Sequence, residues 1–106
     1  MADLNLIRVE DHSERLVHVV LDRPPANALS IELMEELDQV AAHLEAGEAQ
    51  VVILRSAAKM FMAGADLNMV NQGWDSLRTT IKQCQQLMNR WEALPMMTVA
   101  VINGHA

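Results

Sequence analysis

The sequence feature that most constrains the fold is an apolar run that leads into a loop of small residues. Residues 51–54 are continuously apolar and mostly β-branched, which is typical of a strand covered on both faces in a parallel sheet. The run is followed by Ala63-Gly64-Ala65. Because glycine has no side chain, the backbone at Gly64 is able to pass close to a ligand. We therefore predict a ligand site within residues 51–68.

Two strands and a helix are predicted before this run. Apolar residues recur over 4–9 and 16–22, and a polar stretch of hairpin-loop length separates them. Ser30 is predicted to be the N-cap of a helix of about four turns that ends at Gly47. In the second strand, alternation predicts one shared face for Val17, Val19 and Leu21.

A second helix and a further strand are predicted after the loop. The helix is expected over residues 75–94, and a strand of the doubly covered kind is expected over residues 96–102. The apolar stripe predicted for the helix comprises Leu77, Ile81, Cys84, Met88 and Trp91. The order strand, strand, helix, strand, helix, strand predicts an α/β fold with a parallel sheet and right-handed crossovers.

Composition limits the size of the domain and the choice of partners. A chain of 106 residues buries roughly 60–70% of its unfolded surface, so we expect residues 1–106 to belong to one domain without a second. Acidic residues outnumber basic ones 14 to 8, and the net charge is −6. Binding to nucleic acid or to an anionic membrane requires a basic face, so we expect neither as a partner.

The N-terminal sequence and the single cysteine indicate a compartment. MADLNLIRVED has neither the pattern of a signal peptide nor the Arg/Ser-rich composition of a transit peptide. Cys84 is the only cysteine, which excludes an intrachain disulfide and fits a reducing environment. We therefore expect a cytoplasmic protein, with Cys84 as a buried, inert thiol.

The side chains show few patterns of conventional catalysis. The sequence contains no G-x-G-x-x-G, no Walker A pattern and no G-x-S-x-G, which argues against nucleotide binding and a serine nucleophile. The histidines lack metal-binding spacing, so no metal site is expected. His18 is interpreted as a structural histidine without a carboxylate partner. Four acids of the first helix are interpreted as a solvated face: Glu32, Glu35, Glu36 and Asp38.

With those side-chain motifs absent, the remaining candidates for binding or catalysis are backbone groups. A loop of small residues that leads into a helix start at Asp66 can direct main-chain N–H groups at a carbonyl oxygen and stabilise negative charge that develops there. The alternative interpretation is a tight strand-to-helix turn in which Asp66 is only an N-cap. From these residues alone, both interpretations stay open.

Three motifs, spread over nearly the whole chain, resemble those of the enoyl-CoA hydratase/isomerase, or crotonase, superfamily. LDRPPANALS at residues 21–30 resembles the family's L-(N/D)-R-P…NAL segment. KMFMAGADL at residues 59–67 resembles its K-x-F-x-A-G-A-D-(L/I) loop. PMMTVAVINGHA at residues 95–106 resembles its P-x-(I/V)-A-x-(V/I)-N-G-x-A strand. Because the motifs occur in the family's order, they support one another.

The resemblance implies a fold and a site. The fold is an α/β superhelix of ββα turns, commonly assembled as homo-trimers or hexamers, of which this chain would form the N-terminal part. Family members hydrate or isomerise 2-enoyl-CoA thioesters and stabilise an enolate with two backbone N–H groups, with no cofactor besides the coenzyme A of the substrate. The first donor corresponds to Ala65. The substrate-binding backbone corresponds to Ala26, Ala63, Asp66, Leu67 and Asn68.

Basic residues near the motifs have two interpretations. Arg23, Arg55 and Lys59 could contact the phosphates of CoA, but they are also explained as ordinary surface charges.

The resemblance also implies which groups these 106 residues lack. In the family, a glycine-rich run after N-G-x-A carries the second donor, and acid–base glutamates follow it. We therefore expect this chain alone to be inactive. Two alternatives stay open: a non-enzymatic crotonase-like module for binding or assembly, whose terminal strand pairs with another subunit, and a chain truncated by engineering or proteolysis.

Overall fold

The computed structural model describes residues 4–66 and 71–104, which contain four strands and two helices in the predicted order. The elements are β1 (Ile7–Asp11), β2 (Leu16–Leu21), α1 (Ile31–Ala46), β3 (Val51–Ser56), α2 (Trp74–Glu92) and β4 (Met97–Ala100). β1 begins and ends later in the chain than predicted. The strand extends to Asp11 because Glu10 and Asp11, although polar, pair across the hairpin with His18 and Val17.

The strands form a single mixed sheet in the order β1-β2-β3-β4. β1 pairs antiparallel with β2 through the predicted hairpin. β2 and β3 are parallel, as are β3 and β4, and each parallel pair is joined by a connection that contains a helix. The predicted hairpin and parallel sheet are confirmed.

Helix α1 covers one face of this sheet and creates the core. The Ser30 hydroxyl accepts a hydrogen bond from the Leu33 N–H at 3.1 Å, which confirms the predicted N-cap. The Gly47 N–H donates to the Leu44 carbonyl at 3.2 Å at the predicted end. The buried residues that α1 and the sheet share include Val17, Val19, Leu21, Val52, Leu33, Leu37, Val40, Ala41 and Leu44.

Glu36 does not belong to the solvated acidic face on which it was predicted. Its side chain lies inward, and the residue is only 5% exposed. The carboxylate Oε1 accepts hydrogen bonds from the backbone N–H groups of Asn5 and Leu6, at 3.1 and 2.9 Å. Glu36 lies three residues after Leu33 and therefore shares the buried face of α1. It fastens the N-terminal segment to this helix.

Helix α2 packs against α1 rather than lying across the sheet. Arg90 reaches Asp38 at 2.8 Å and Glu45 at 2.5 Å, and these bonds, to Glu45 first, raise the pKa of its guanidinium above the ordinary value. The indole Nε1 of Trp91 donates to the Leu37 carbonyl at 3.1 Å. No helix among the residues described is both long and apolar enough to cross a bilayer.

The apolar stripe predicted on α2 is only partly buried. Leu87 is in the core, and Cys84 and Trp91 pack against it at intermediate exposure. Ile81 and Met88 are exposed, at 51% and 47%. The reason is that contact with α1 covers only one side of the helix, so the rest of its apolar face lies open.

Strand β4 is exposed throughout, so the prediction that it is covered on both faces is wrong. It is one of the two edge strands of the sheet, and Met97 is 66% exposed. On β3, Val52 is fully buried, whereas neighbours on either side are of intermediate exposure. An apolar run indicates a strand, but it does not indicate which faces another element covers.

Replacing Glu36 with alanine should destabilise the protein, because it leaves two partly buried N–H groups without their acceptor. Each unsatisfied group costs about 1–3 kcal/mol, so the free energy of unfolding in urea should fall by at least about 2 kcal/mol. The matched control is Glu35→Ala on the exposed side of α1, which should change it by less than about 0.5 kcal/mol. Equal effects of the two substitutions would show that the Glu36 contacts contribute nothing.

Candidate active site

The turn after β2 is built around a buried amide. Asn27 is fully buried and has a φ of +52°, a region that asparagine tolerates better than most residues. Its Oδ1 accepts a hydrogen bond from the Arg23 N–H at 2.8 Å and closes the turn. Its Nδ2 donates to Ser56 Oγ at 2.6 Å and to the carbonyls of Phe61 and Met60 at 3.0 and 3.2 Å. The loop after β3 is thereby held against the turn after β2.

Backbone hydrogen bonds then align these two segments. The Ala63 N–H donates to the Ala26 carbonyl at 2.9 Å. The Leu29 N–H donates to the Gly64 carbonyl at 2.6 Å, and the Asp66 N–H donates to the Leu29 carbonyl at 2.8 Å. The last two bonds form an isolated parallel bridge centred on the pair Leu29 and Ala65.

Because of this bridge, the N–H of Ala65 points away from the segment that contains Leu29. In a parallel bridge, one residue of the pair bonds through its own N–H and C=O to the two chain neighbours of the other residue. The N–H and C=O of that other residue take no part in the bridge. Gly64 and Asp66 make both bonds here, and within the described chain the Ala65 N–H has no acceptor. Gly64 has a φ of +88°, which favours glycine, and a Cβ built there would meet no atom within 4 Å. The space beside Gly64 is therefore open.

An ion pair holds the end of this loop. Arg23 Nη2 lies 2.6 Å from Asp66 Oδ2, and Arg23 Nη1 donates to the Ala28 carbonyl at 2.5 Å. Arg55 is likewise engaged within the protein, with Glu10. Both arginine side chains therefore have partners within the protein, and their presence does not require a phosphate ligand. Lys59 is exposed.

An apolar groove of about 360 Å³ lies beside Ala65. Its walls come from the turn after β2 and from the uncovered side of α2. The apolar residues that line it are Leu29, Ala65, Ile81, Cys84 and Met88. Cys84 is a free thiol at intermediate exposure, so the prediction that it is buried is wrong.

The third sequence motif meets the second. After β4, the Val101 N–H donates to the Leu54 carbonyl at 2.9 Å and continues the contact with β3. The Asn103 side chain then donates to the Ala58 carbonyl at 3.2 Å. The chain beyond β4 therefore runs beside the loop that carries Ala65.

Most of the predicted site backbone converges in the structure. The residues it brings together are Ala26, Ala63, Ala65 and Asp66, whereas Leu67 and Asn68 lie outside the described residues. Sequence reasoning missed Asn27, which holds the two loops together. Its only signal was a polar residue between two alanines in the first motif.

A second polar cluster lies on the sheet face opposite α1 and includes His18. Glu10 is the direct cross-strand partner of His18, and the Arg55 Nε donates to His18 Nδ1 at 3.0 Å. Arg55 also donates to Glu10 Oε1 at 2.8 Å. His18 therefore has a carboxylate neighbour that linear spacing did not indicate.

Solved structures share this arrangement of strands and helices. An enoyl-CoA hydratase from Bacillus anthracis matches with a TM-score of 0.87 and 32% identity, over 94% of this chain and 40% of that one. DspI from Pseudomonas aeruginosa matches with a TM-score of 0.92 and 26% identity, over 100% of this chain and 41% of that one. The structure is accordingly part of a crotonase fold.

The sequence comparison identifies the family. Residues 11–106 match the model of the family described as enoyl-CoA hydratase/isomerase. Enoyl-CoA hydratase domain-containing protein 2 of Mus musculus is 34% identical over 98 residues, which are 89% of this chain and 33% of the relative. A second relative, enoyl-CoA hydratase domain-containing protein 3 of Danio rerio, is 26% identical over 98% of this chain and 37% of its own length. This chain belongs to the enoyl-CoA hydratase/isomerase family and spans about a third of those two relatives.

Replacing Asn27 with glycine should loosen the site without straining the turn, because glycine accepts the positive φ. The substitution leaves the partly buried Arg23 N–H without its acceptor and removes the bonds that tie Ser56 Oγ and the Phe61 carbonyl to the turn, so the free energy of unfolding should fall by about 3 kcal/mol. Hydrogen exchange should accelerate at the amides of residues 57–66. The matched control, Asn71→Gly at an exposed position, should leave those amides unchanged. Identical exchange in both variants would contradict the role of Asn27.

Proposed function

We propose that this chain holds the thioester oxygen of an acyl-CoA through the backbone N–H of Ala65. The observation that carries the proposal is the Leu29–Ala65 bridge, which uses the groups on either side of Ala65 and leaves its N–H without an acceptor among the described residues. A donor already fixed in place needs no reorganisation when negative charge develops on a carbonyl oxygen. Ala65 would therefore supply one half of an oxyanion hole.

The groove beside Ala65 supports an acyl group as the rest of the ligand. Small-molecule sites usually enclose about 300–1,000 Å³ and are mostly apolar, and this groove falls within that range. Ile81 and Met88 are exposed hydrophobic residues of α2 that line it. A hydrocarbon chain would cover them while its thioester oxygen meets the Ala65 N–H.

For the whole protein, the corresponding reaction is hydration of a 2-enoyl-CoA, or migration of its double bond, through an enolate. The names of its relatives and the family match support a CoA thioester as substrate. The CoA moiety would lie along the backbone of Ala26, Ala63 and Asp66, and no further cofactor enters the proposal. Assembly as a homo-oligomer, a trimer or hexamer, is part of the same proposal.

One observation favours assembly as a second candidate function. The edge strand β4 and the residues after it expose Met97, Val99, Val101 and Ile102, and an exposed apolar edge is suited to strand pairing with another subunit. Such a module would need no affinity for CoA thioesters, so ligand binding distinguishes the two candidates.

Calorimetric titration with crotonyl-CoA should detect binding that Gly64→Ala weakens. Alanine at a φ of +88° costs about 1–2 kcal/mol of strain, and relief of that strain should turn the Ala65 N–H away from the ligand. The matched control is Gly73→Ala, because Gly73 has a φ of +96° and equally open surroundings but lies at the N-cap of α2. Both variants should lose similar stability, and only Gly64→Ala should lose affinity. Equal affinity in the two variants would contradict the role of Ala65, and absence of binding by the unsubstituted chain would favour the assembly module.

The 106-residue chain should not turn over crotonyl-CoA. Lacking one oxyanion donor costs about 10²–10³ in rate, and lacking general acid–base groups costs about another 10²–10⁴. Together these losses amount to about 10⁴–10⁷, which would take a typical kcat of about 10 s⁻¹ down to about 10⁻³ s⁻¹ or less. The measurement follows loss of the conjugated enoyl absorbance. Turnover clearly above buffer would mean that these residues contain a complete active site.

A further inference from the structure

Three donor side chains converge on the sheet face opposite α1. Glu10 and His18 face each other across the β1–β2 ladder, and His12 follows Glu10 by two residues. His12 Nε2 lies 3.3 Å from Glu10 Oε1, and the rings of His12 and His18 stack with centroids 3.8 Å apart. One ligand atom from each of the three residues lies within 4.8 Å of the other two. The hairpin register therefore gathers them at one point.

We propose that Glu10, His12 and His18 bind a divalent transition-metal ion such as Zn²⁺. Two imidazoles and one carboxylate are a donor set that zinc uses in proteins, with the remaining positions open to water. Zinc–ligand bonds of about 2.0–2.1 Å place two tetrahedral ligand atoms about 3.3 Å apart. His12 Nε2 and Glu10 Oε1 already have this separation. The His18 ring, which stacks on the His12 ring at an interplanar angle of 28°, has to rotate out of the stack to turn its ligand nitrogen toward the ion.

The cluster has to give up a hydrogen bond to bind a metal ion. A metal requires neutral imidazole and ionised carboxylate, and the ligating ring nitrogen needs a free lone pair. The proton between His12 Nε2 and Glu10 Oε1 therefore leaves that position when the ion binds. The His12 side chain is 44% exposed, so an ion can enter directly from solvent.

Arg55 contacts two of the three donors and would compete with the metal. Its Nη2 donates to Glu10 Oε1 at 2.8 Å, and its Nε donates to His18 Nδ1 at 3.0 Å. An ion pair at this level of exposure is weak because water screens it, and the Arg55 side chain can rotate into solvent. Metal binding would therefore displace the Arg55 guanidinium from Glu10 and His18, and this competition lowers the affinity for the metal.

The test is calorimetric titration of untagged protein with ZnCl₂ in a buffer that does not chelate zinc. The unsubstituted protein should bind one ion per chain. His12→Ala and Glu10→Gln should each weaken binding by at least about tenfold, because even loss of a residue that supports a ligand costs about 10–100-fold. Arg55→Met should tighten binding by about two- to fivefold, the change that corresponds to losing a weak ion pair.

Control measurements distinguish binding at the cluster from non-specific binding by surface histidines. His43→Ala removes an exposed histidine of α1 and should leave the affinity unchanged. In carbon–proton correlation spectra, zinc should shift the ring signals of His12 and His18 but not that of His43, and circular dichroism should show that each variant is folded. The proposal is overturned by absence of saturable binding, by equal weakening in His43→Ala and His12→Ala, or by weaker binding in Arg55→Met.

Discussion

The site depends on the side-chain amide of Asn27. This amide is fully buried, and a buried polar group without a partner is costly, so its hydrogen bonds hold their partners firmly. Its bonds join the turn after β2 to Ser56 and to the loop that follows β3. Among the described residues, no buried side-chain polar atom lacks a partner. The alignment of Leu29 with Ala65 rests on this network.

Side chains and backbone have separate roles in this architecture. Asn27 and the Arg23–Asp66 pair hold the loops in place, whereas the group proposed to meet the ligand is a main-chain N–H. The loop sequence Ala63-Gly64-Ala65 fits this division, because small side chains leave the backbone accessible. A site that is formed by backbone groups is difficult to detect by searching the sequence for catalytic side chains.

The sequence predicted those parts of the fold that depend on local pattern. The cap at Ser30, the end of α1 at Gly47 and the buried face of β2 follow from adjacent residues and are confirmed. Glu36 was missed because a simple apolar–polar pattern assigns every glutamate to solvent, although its spacing from Leu33 placed it on the buried face.

Other features depend on contacts between distant residues and could not be predicted from local pattern. Exposure of Met88 and of β4 depends on which faces another element covers. The pairing of Glu10 with His18 depends on hairpin register, which the spacing of residue types does not reveal. The role proposed for Ala65 rests on the resemblance of a motif to that of a known family, because the loop residues alone left two interpretations open.

The most direct test of the account observes the Ala65 amide itself. Nitrogen–proton correlation spectra would be recorded with crotonyl-CoA and with a thioether analogue that lacks the carbonyl oxygen. If the Ala65 N–H holds the thioester oxygen, its proton signal should move downfield with crotonyl-CoA and much less with the thioether, while the Gly73 amide stays unchanged in both. Equal shifts at Ala65 with the two ligands, or a shift with neither, would contradict the account.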